Sequence, residues 1–202
     1  MKVLLQILLI LIISFFKGQN IDTLANIPVE IESETEVRIY VGNGITNSGK
    51  VFRIYLNGNK KWNAELIQWF FPKKISNDEF KTIPPVVTKL KSKLPLRQIF
   101  LNIEALNIEY LPKEEFFQYK KSKNKVVFDE DEKDYFVMSQ KTSVLDGVDF
   151  LVKYKSIKKE NEFNYSNPQS YLEKYPGIDE YESFIKILKY VENNFNIKLG
   201  KN

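Results

Sequence analysis

From residue 36 to residue 71 the chain alternates. In EVRIYV, Val37, Ile39 and Val41 fall on one side of an extended strand while Arg38 and Tyr40 fall on the other, the period of two that marks a half-buried strand. VFRIYL repeats the pattern, with Phe52, Ile54 and Leu56 set against Arg53 and Tyr55. Asn57-Gly58 supplies a hairpin turn, and WNAELIQWFF continues as a third strand over residues 62–71. The phase of that strand depends on the loop before it. An odd number of loop residues, such as 57–59, sets Trp62, Ala64, Leu66 and Phe70 beside Phe52 and Ile54, and sets Asn63, Glu65, Ile67 and Trp69 beside the arginines. An even number exchanges the two faces, because side chains alternate with a period of two.

Upstream, residues 20–35 are polar with scattered Ile, Leu and Val, and read as a loosely tied lead with an edge strand at 29–31. Downstream, Pro72 ends the meander. Ser76 and Glu79 have capping-box spacing, although Pro84 and Pro85 allow only a short turn after them. Val86, Val87, Leu90 and Leu94 stand at helical spacing up to Pro95. Leu96, Ile99, Phe100, Ile103, Leu106 and Tyr110 then form one apolar helical stripe that Pro112 closes. A weaker helical patch follows at 114–119. Residues 126–128 and 135–139 read as a hairpin across the acidic turn 129–134, and residues 149–156 and 162–165 as another across 158–161. Asn167-Pro168 offers a cap and a first-turn proline for a helix that stops at Pro176-Gly177. The most regular amphipathic helix comes last, with Ile178, Tyr181, Phe184, Ile185, Leu188, Val191 and Phe195 on one side. The pattern predicts an α+β fold: an antiparallel sheet built from a three-stranded N-terminal meander plus C-terminal hairpins, covered by central and C-terminal helices.

Residues 1–19 change the picture. One lysine precedes an apolar run from Val3 to Phe16, broken only by Gln6 and Ser14 and followed by a polar exit, which is the layout of a secretory signal peptide. The run is shorter than the roughly 20 residues needed to cross a bilayer as a helix. The expectation is a cleaved signal at 1–19 and a single α+β domain over 20–202, secreted or periplasmic, with no stable membrane insertion after cleavage. Cleavage removes Lys2 and Lys17 and no acid, so the formal charge falls from +4 to +2. A nucleic-acid partner thereby loses its electrostatic basis.

The chain has no Cys and no His. An exported domain of this composition has no disulfides to hold it, and triad, Cys-His and ordinary zinc chemistry lack their residues. Carboxylate-pair hydrolysis, a Ser-Lys dyad and oxygen-ligand Ca²⁺ or Mg²⁺ sites remain chemically open. Residues 44–50, GITNSGK, match the start of a phosphate loop, but Val51 lacks the hydroxyl that Mg²⁺ needs and a strand follows where a helix must begin. The acidic run 129–134 has Asp at the first and third positions of a calcium loop, then Asp134 where glycine belongs and Gln140 where glutamate belongs. Asn164-Tyr165-Ser166 is a glycosylation sequon only in a eukaryotic secretory pathway. No cofactor or metal is expected.

The remaining constellation is the polar face of the meander. Arg38, Tyr40, Arg53, Tyr55, Glu65 and Trp69 combine planar donors with flat aromatic surfaces, suited to carboxylates, sulfates, sugars or peptide side chains. The same residues also make cross-strand pairs that stabilise a half-exposed sheet. Glu65 is the first acid to test for hydrolysis, and the Gly-rich loop 42–50 is the candidate for an inhibitory contact. NEFNYSNPQSYLEKYPGIDE at 161–180 and VRIYVGNGITNSGKVFRIY at 37–55 together resemble a group of uncharacterised exported proteins of the Bacteroidetes. The resemblance spans most of the mature chain, implies export and a single domain, and assigns no functional residue. The expected function is a non-enzymatic exported binding or interaction module for an extracellular protein or glycan. The alternative is a small carboxylate-dependent hydrolase acting on cell-wall or polysaccharide material.

Overall fold

The alternating segments become the middle of an antiparallel sheet. A computed structural model describes residues 20–43, 47–76, 79–141, 143–144 and 147–200; the expected signal at 1–19 and the centre of the Gly-rich loop at 44–46 lie outside them. The strands are β1 (Glu36–Asn43), β2 (Ser48–Leu56), β3 (Trp62–Phe70), β4 (Lys73–Lys74), β5 (Phe80–Lys81), β6 (Val86–Lys89), β7 (Ser122–Asp129), β8 (Asp134–Lys141), β9 (Val148–Lys155) and β10 (Glu160–Ser166). The helices are α1 (Ile21–Leu24), α2 (Leu96–Ala105), α3 (Pro168–Lys174) and α4 (Asp179–Phe195). The main sheet has the order β10-β9-β1-β2-β3-β6, and β4-β5 and β7-β8 are separate two-stranded ladders. The fold is α+β, with central and C-terminal helices.

The register resolves the third strand. Phe52 lies opposite Leu66, Ile54 opposite Ala64 and Leu56 opposite Trp62, so five residues form the loop and the odd-loop phase holds. One face of the sheet carries Val37, Ile39, Phe52, Ile54, Phe150, Val152, Tyr154 and Phe163, all buried with Ile99, Ile103, Phe184, Leu188 and Val191 of α2 and α4. Rings interlock across this layer: Phe52 meets Phe195 at 5.2 Å between centroids, and Phe150 meets Phe184 at 5.2 Å. The opposite face carries Glu36, Arg38, Tyr40, Arg53, Tyr55, Glu65 and Lys153.

Three local expectations are corrected. Residues 86–89 form strand β6 on the edge of β3, with Val87 opposite Ile67, and not a helix. The β-branched Val86, Val87 and Thr88 favour a pleated surface, and the Pro84-Pro85 pair already holds an extended approach. Residues 29–31 form no strand, and residues 20–31 are tied down with Asp22 and Ala25 buried. Asn167 holds the N-cap position of α3 as expected, with Pro168 at the first turn, but it sits in the left-handed region at φ 51° and its side chain makes no capping hydrogen bond. Its side-chain oxygen accepts from the Val148 amide at 2.7 Å.

Burial also sets an alkaline limit. The phenols of Tyr40, Tyr154, Tyr165 and Tyr181 are all raised above their ordinary value of 10.0, first by burial and then by neighbouring carboxylates: a hydrogen bond to Asp22 for Tyr40 and to Glu104 for Tyr154, the charge of Glu180 and Glu114 for Tyr165, and the charge of Glu114 for Tyr181. A group whose proton is held more tightly in the folded state contributes stability that is complete below pH 10 and is lost as pH rises above it. Unfolding by base is therefore expected to coincide with a cooperative rise in phenolate absorbance. Gradual ionisation of these tyrosines in a chain that stays folded would contradict it.

Candidate functional site

Of the six residues of the polar face, the structure buries three and half-buries three. Arg38 is 0% exposed, Tyr40 3% and Trp69 4%, while Arg53, Tyr55 and Glu65 are partly exposed. What covers them is the chain itself. Residues 20–31 cross the face as a strap, starting with a helical turn whose Asn20 side chain accepts from the Asp22 amide at 2.9 Å. Ala25 of the strap packs with Tyr40, Val51, Ile67 and Trp69 in a second apolar cluster.

The strap pairs with no strand, so its carbonyls need other donors, and the cations of the face provide them. Arg38 donates to the carbonyl oxygens of Pro28 at 2.5 Å and Glu30 at 3.3 Å. Lys153 donates to Val29 at 3.1 Å and Lys155 to Ile31 at 3.2 Å. Four successive carbonyls are thus satisfied by side chains rising from β1 and β9. The Asp22 carboxylate reaches down in return, accepting from the Tyr40 hydroxyl at 2.5 Å and from Lys153 at 3.1 Å.

Beneath the strap lies a charge ladder. Glu36, fully buried, accepts from Arg38 Nε at 2.5 Å, and from Arg53 Nε at 2.5 Å and Arg53 Nη2 at 3.1 Å. Arg53 also reaches Glu65 at 3.3 Å and lies 3.9 Å above the Tyr55 ring. Burial alone would push the Glu36 carboxyl up, but the bonds and charges of Arg53 and then Arg38 outweigh it and hold the group below the usual carboxylate range. Asp22, Glu36, Glu65 and Glu160 match Arg38, Arg53, Lys153 and Lys155 charge for charge, so the network leaves no surplus charge to attract a ligand. The arginine and tyrosine pairs brace the sheet and fasten the strap.

An open groove lies at one end of the same sheet. Thr35, Leu56, Trp62, Phe100, Leu101 and Ile157 line a space of about 680 Å³ between the β2-β3 turn, α2 and the β9-β10 turn, within the size range of small-molecule sites. Its floor is aromatic: Trp62 and Phe100 meet at 5.1 Å between centroids, and Phe100 stacks on Tyr154 at 6.1 Å. The alternation of β3 and the helical stripe of α2 bring these rings together, since Trp62 begins the core-facing row of β3 and Phe100 belongs to the buried side of α2.

The rim is cationic, with Lys60, Arg97, Lys158 and Lys159 against Glu104 and Glu109. Both acids are engaged. Glu104 accepts from the Tyr154 hydroxyl at 2.6 Å and Glu109 from Lys159 at 3.0 Å, and the Lys159 hydrogen bond holds Glu109 below its ordinary range. Lys60 pairs with Glu34 at 2.7 Å. Arg97 and Lys158 meet no acid among the described residues. The groove is not legible in the sequence because Trp62, the α2 residues Arg97 and Phe100, and Ile157 come from three separate elements and form no local motif.

Among the described residues no group of three or more acids is arranged to hold a metal ion, and no helix is long and apolar enough to cross a membrane. In the acidic hairpin tip, the Asp129 carboxylate accepts from the amides of Asp131 at 2.9 Å and Glu132 at 3.2 Å, shaping the turn. Comparison of the chain with family models, curated proteins and solved structures finds no match.

Proposed function

We propose that this chain is an exported, non-enzymatic binding module whose ligand site is the groove between Trp62, Phe100 and Ile157, and that it takes an amphipathic anion with an apolar body and a carboxylate or sulfate head. The observation that carries this reading is the pairing of an aromatic floor with the uncommitted guanidinium of Arg97. An apolar wall with a few polar groups at its margin is the usual form of a small-molecule site, and a guanidinium presents a planar fork that fits a carboxylate or sulfate. Lys158 adds a second cation to the same margin. Export rests on the apolar leader at 1–19 and on the resemblance to exported Bacteroidetes proteins.

The test is a calorimetric titration with dodecanoate, dodecanol and dodecylamine, which share a tail and differ in head group. Dodecanoate is expected to bind most tightly, and Arg97→Glu to weaken it about tenfold or more, the loss of one charge-assisted hydrogen bond. Dodecanol is expected to be little affected by that substitution. Equal binding of all three probes, or binding unchanged in Trp62→Ala, contradicts the reading. Turnover of a polysaccharide that is lost in Glu104→Gln would replace it with hydrolysis.

A further inference from the structure

Between β3 and β6 the chain leaves the main sheet as an arm. Gln68 lies opposite Val86 at the end of the β3-β6 ladder, and β4 and β5 carry the same register onward, with Lys73 opposite Lys81 and Lys74 opposite Phe80. The far end is closed by the Ile75 amide, which donates to the Glu79 carbonyl at 2.9 Å. The base is fixed, since the Leu90 amide donates to the Ala64 carbonyl at 2.9 Å and the Lys93 amide to the Asn194 carbonyl at 3.1 Å. Residues 71–93 hold six lysines against two acids, Asp78 and Glu79.

Those lysines are uncommitted. Lys73, Lys74, Lys81, Lys89, Lys91 and Lys93 are exposed, and none makes an ion pair among the described residues. Lys89 lies opposite Glu65, but that carboxylate is taken by Arg53. Elsewhere Lys120, Lys121, Lys153, Lys155 and Lys159 each hold a carboxylate. Lys73 and Lys81 stand directly opposite one another, an arrangement of like charges that destabilises a ladder and that an anion would relieve. Opposite residues share a face, so these two project to one side of the arm and Lys74 to the other with Phe80. Apolar side chains accompany them. Ile75 and Phe80, which flank the tip, are 57% and 62% exposed, and Val86 and Val87 at the base are 55% and 53% exposed.

We propose that this arm is an interfacial anchor by which the protein docks on an anionic lipid surface. An end-on approach sets Ile75 and Phe80 into the boundary between headgroups and acyl chains, with lysines from both faces of the arm around them at the level of the lipid phosphates. The apolar residues choose the occupant. A polysaccharide or a nucleic-acid strand has no apolar interior to receive Ile75, Val86 and Val87, and a groove for a nucleic-acid strand relies on stacked rings and arginine, whereas residues 71–93 contain no arginine. Adsorption in the interface needs no spanning helix. The proposal stands independently of the groove.

The test is flotation of the exported protein, cleaved of its leader, with vesicles of phosphatidylcholine and phosphatidylglycerol in equal parts and with vesicles of phosphatidylcholine alone. Binding to the mixed vesicles is expected to be about tenfold or more tighter and to be lost in high salt. Lys73→Glu combined with Lys81→Glu is expected to weaken it about tenfold or more. Phe80→Ser, which leaves the charge unchanged, is expected to weaken it about fivefold. Lys123→Glu combined with Lys125→Glu makes the same change of charge at exposed positions of β7 and is expected to leave binding within about twofold. All five positions are exposed, so the thermal melts of these variants should match that of the parent. Equal binding to the two kinds of vesicle, an effect of the β7 pair as large as that of the arm pair, or undiminished binding by Phe80→Ser overturns the proposal. Binding to a single-stranded oligonucleotide as tight as to the mixed vesicles would overturn it in favour of a general polyanion site.

Discussion

Glu36→Ala is expected to destabilise the domain by about 3–5 kcal/mol, the cost of removing one partner from a buried ion pair. Glu36 is fully buried and bonds both Arg38 and Arg53. Its loss leaves Arg38, itself 0% exposed, with the Asp22 oxygen and the Tyr40 hydroxyl, each at 3.4 Å, and the strap carbonyls as its remaining acceptors. Total stabilities are about 5–15 kcal/mol, so the loss is a large fraction of the whole. At roughly 2–4 °C per kcal/mol for a domain of this size, the melting temperature should fall by roughly 6–20 °C.

The same residue gives an acid signature. Its folded carboxyl lies below the ordinary value of 4.5, so its contribution is present above that pH and is lost as pH falls through the folded value. The stability of the unmodified protein should drop as pH falls below 4.5, and in Glu36→Gln that portion of the slope should be missing. An acid profile identical in the two proteins would contradict the role assigned to Glu36.

The second large effect is expected at Gly49. A Cβ there would stand 2.4 Å from the Trp69 ring and 2.6 Å from the Val41 carbonyl oxygen. Gly49 and Trp69 are cross-strand partners, and the indole lies over the space that a side chain would fill. Because the obstacle includes backbone, Gly49→Ala should cost about 1–3 kcal/mol or more. Trp69→Leu in the same chain should relieve the ring clash but not the carbonyl, giving a coupling of about 0.5–3 kcal/mol in a double-mutant cycle. Additive losses would mean that Gly49 is small for another reason.

The sheet was legible wherever one face is buried. Val37, Ile39, Phe52 and Ile54 alternate so regularly that strand, face and partner follow from the pattern, and the α4 stripe is equally plain. Val86 and Val87 were not legible, because apolar spacing over so few residues fits a helix as well as a strand, and the deciding factor is the open edge of β3. The strap was illegible for a different reason. Its backbone is held by Arg38, Lys153 and Lys155, whose donors come from strands that the local sequence of residues 20–31 does not reveal.

The same non-locality governs the sites. The Arg-Ile-Tyr repeat identified a real constellation, and cross-strand pairing does bring Arg53 beside Glu65. Whether such a face is open or closed depends on what crosses it, and that information lies in a segment with weak patterning. Buried arginine is costly unless every donor finds a partner, and Asp22, Glu36 and the strap carbonyls supply those partners. The groove gathers its aromatic floor and cationic rim from residues up to about a hundred positions apart, which no short motif encodes.

The chain has two tryptophans, and they fall one in each place: Trp62 lines the groove and Trp69 lies beneath the strap. That division gives the most direct test of the central claim, that the arginine face is closed and the groove is the site. In a proton–nitrogen correlation spectrum, the two indole signals can be assigned with Trp62→Phe and Trp69→Phe and followed during titration with dodecanoate. The Trp62 signal is expected to move in a saturable manner while the Trp69 signal stays in place and exchanges slowly with deuterium. Saturable movement of the Trp69 signal with Trp62 unmoved would show that the strap opens and that the arginine face is the binding surface after all.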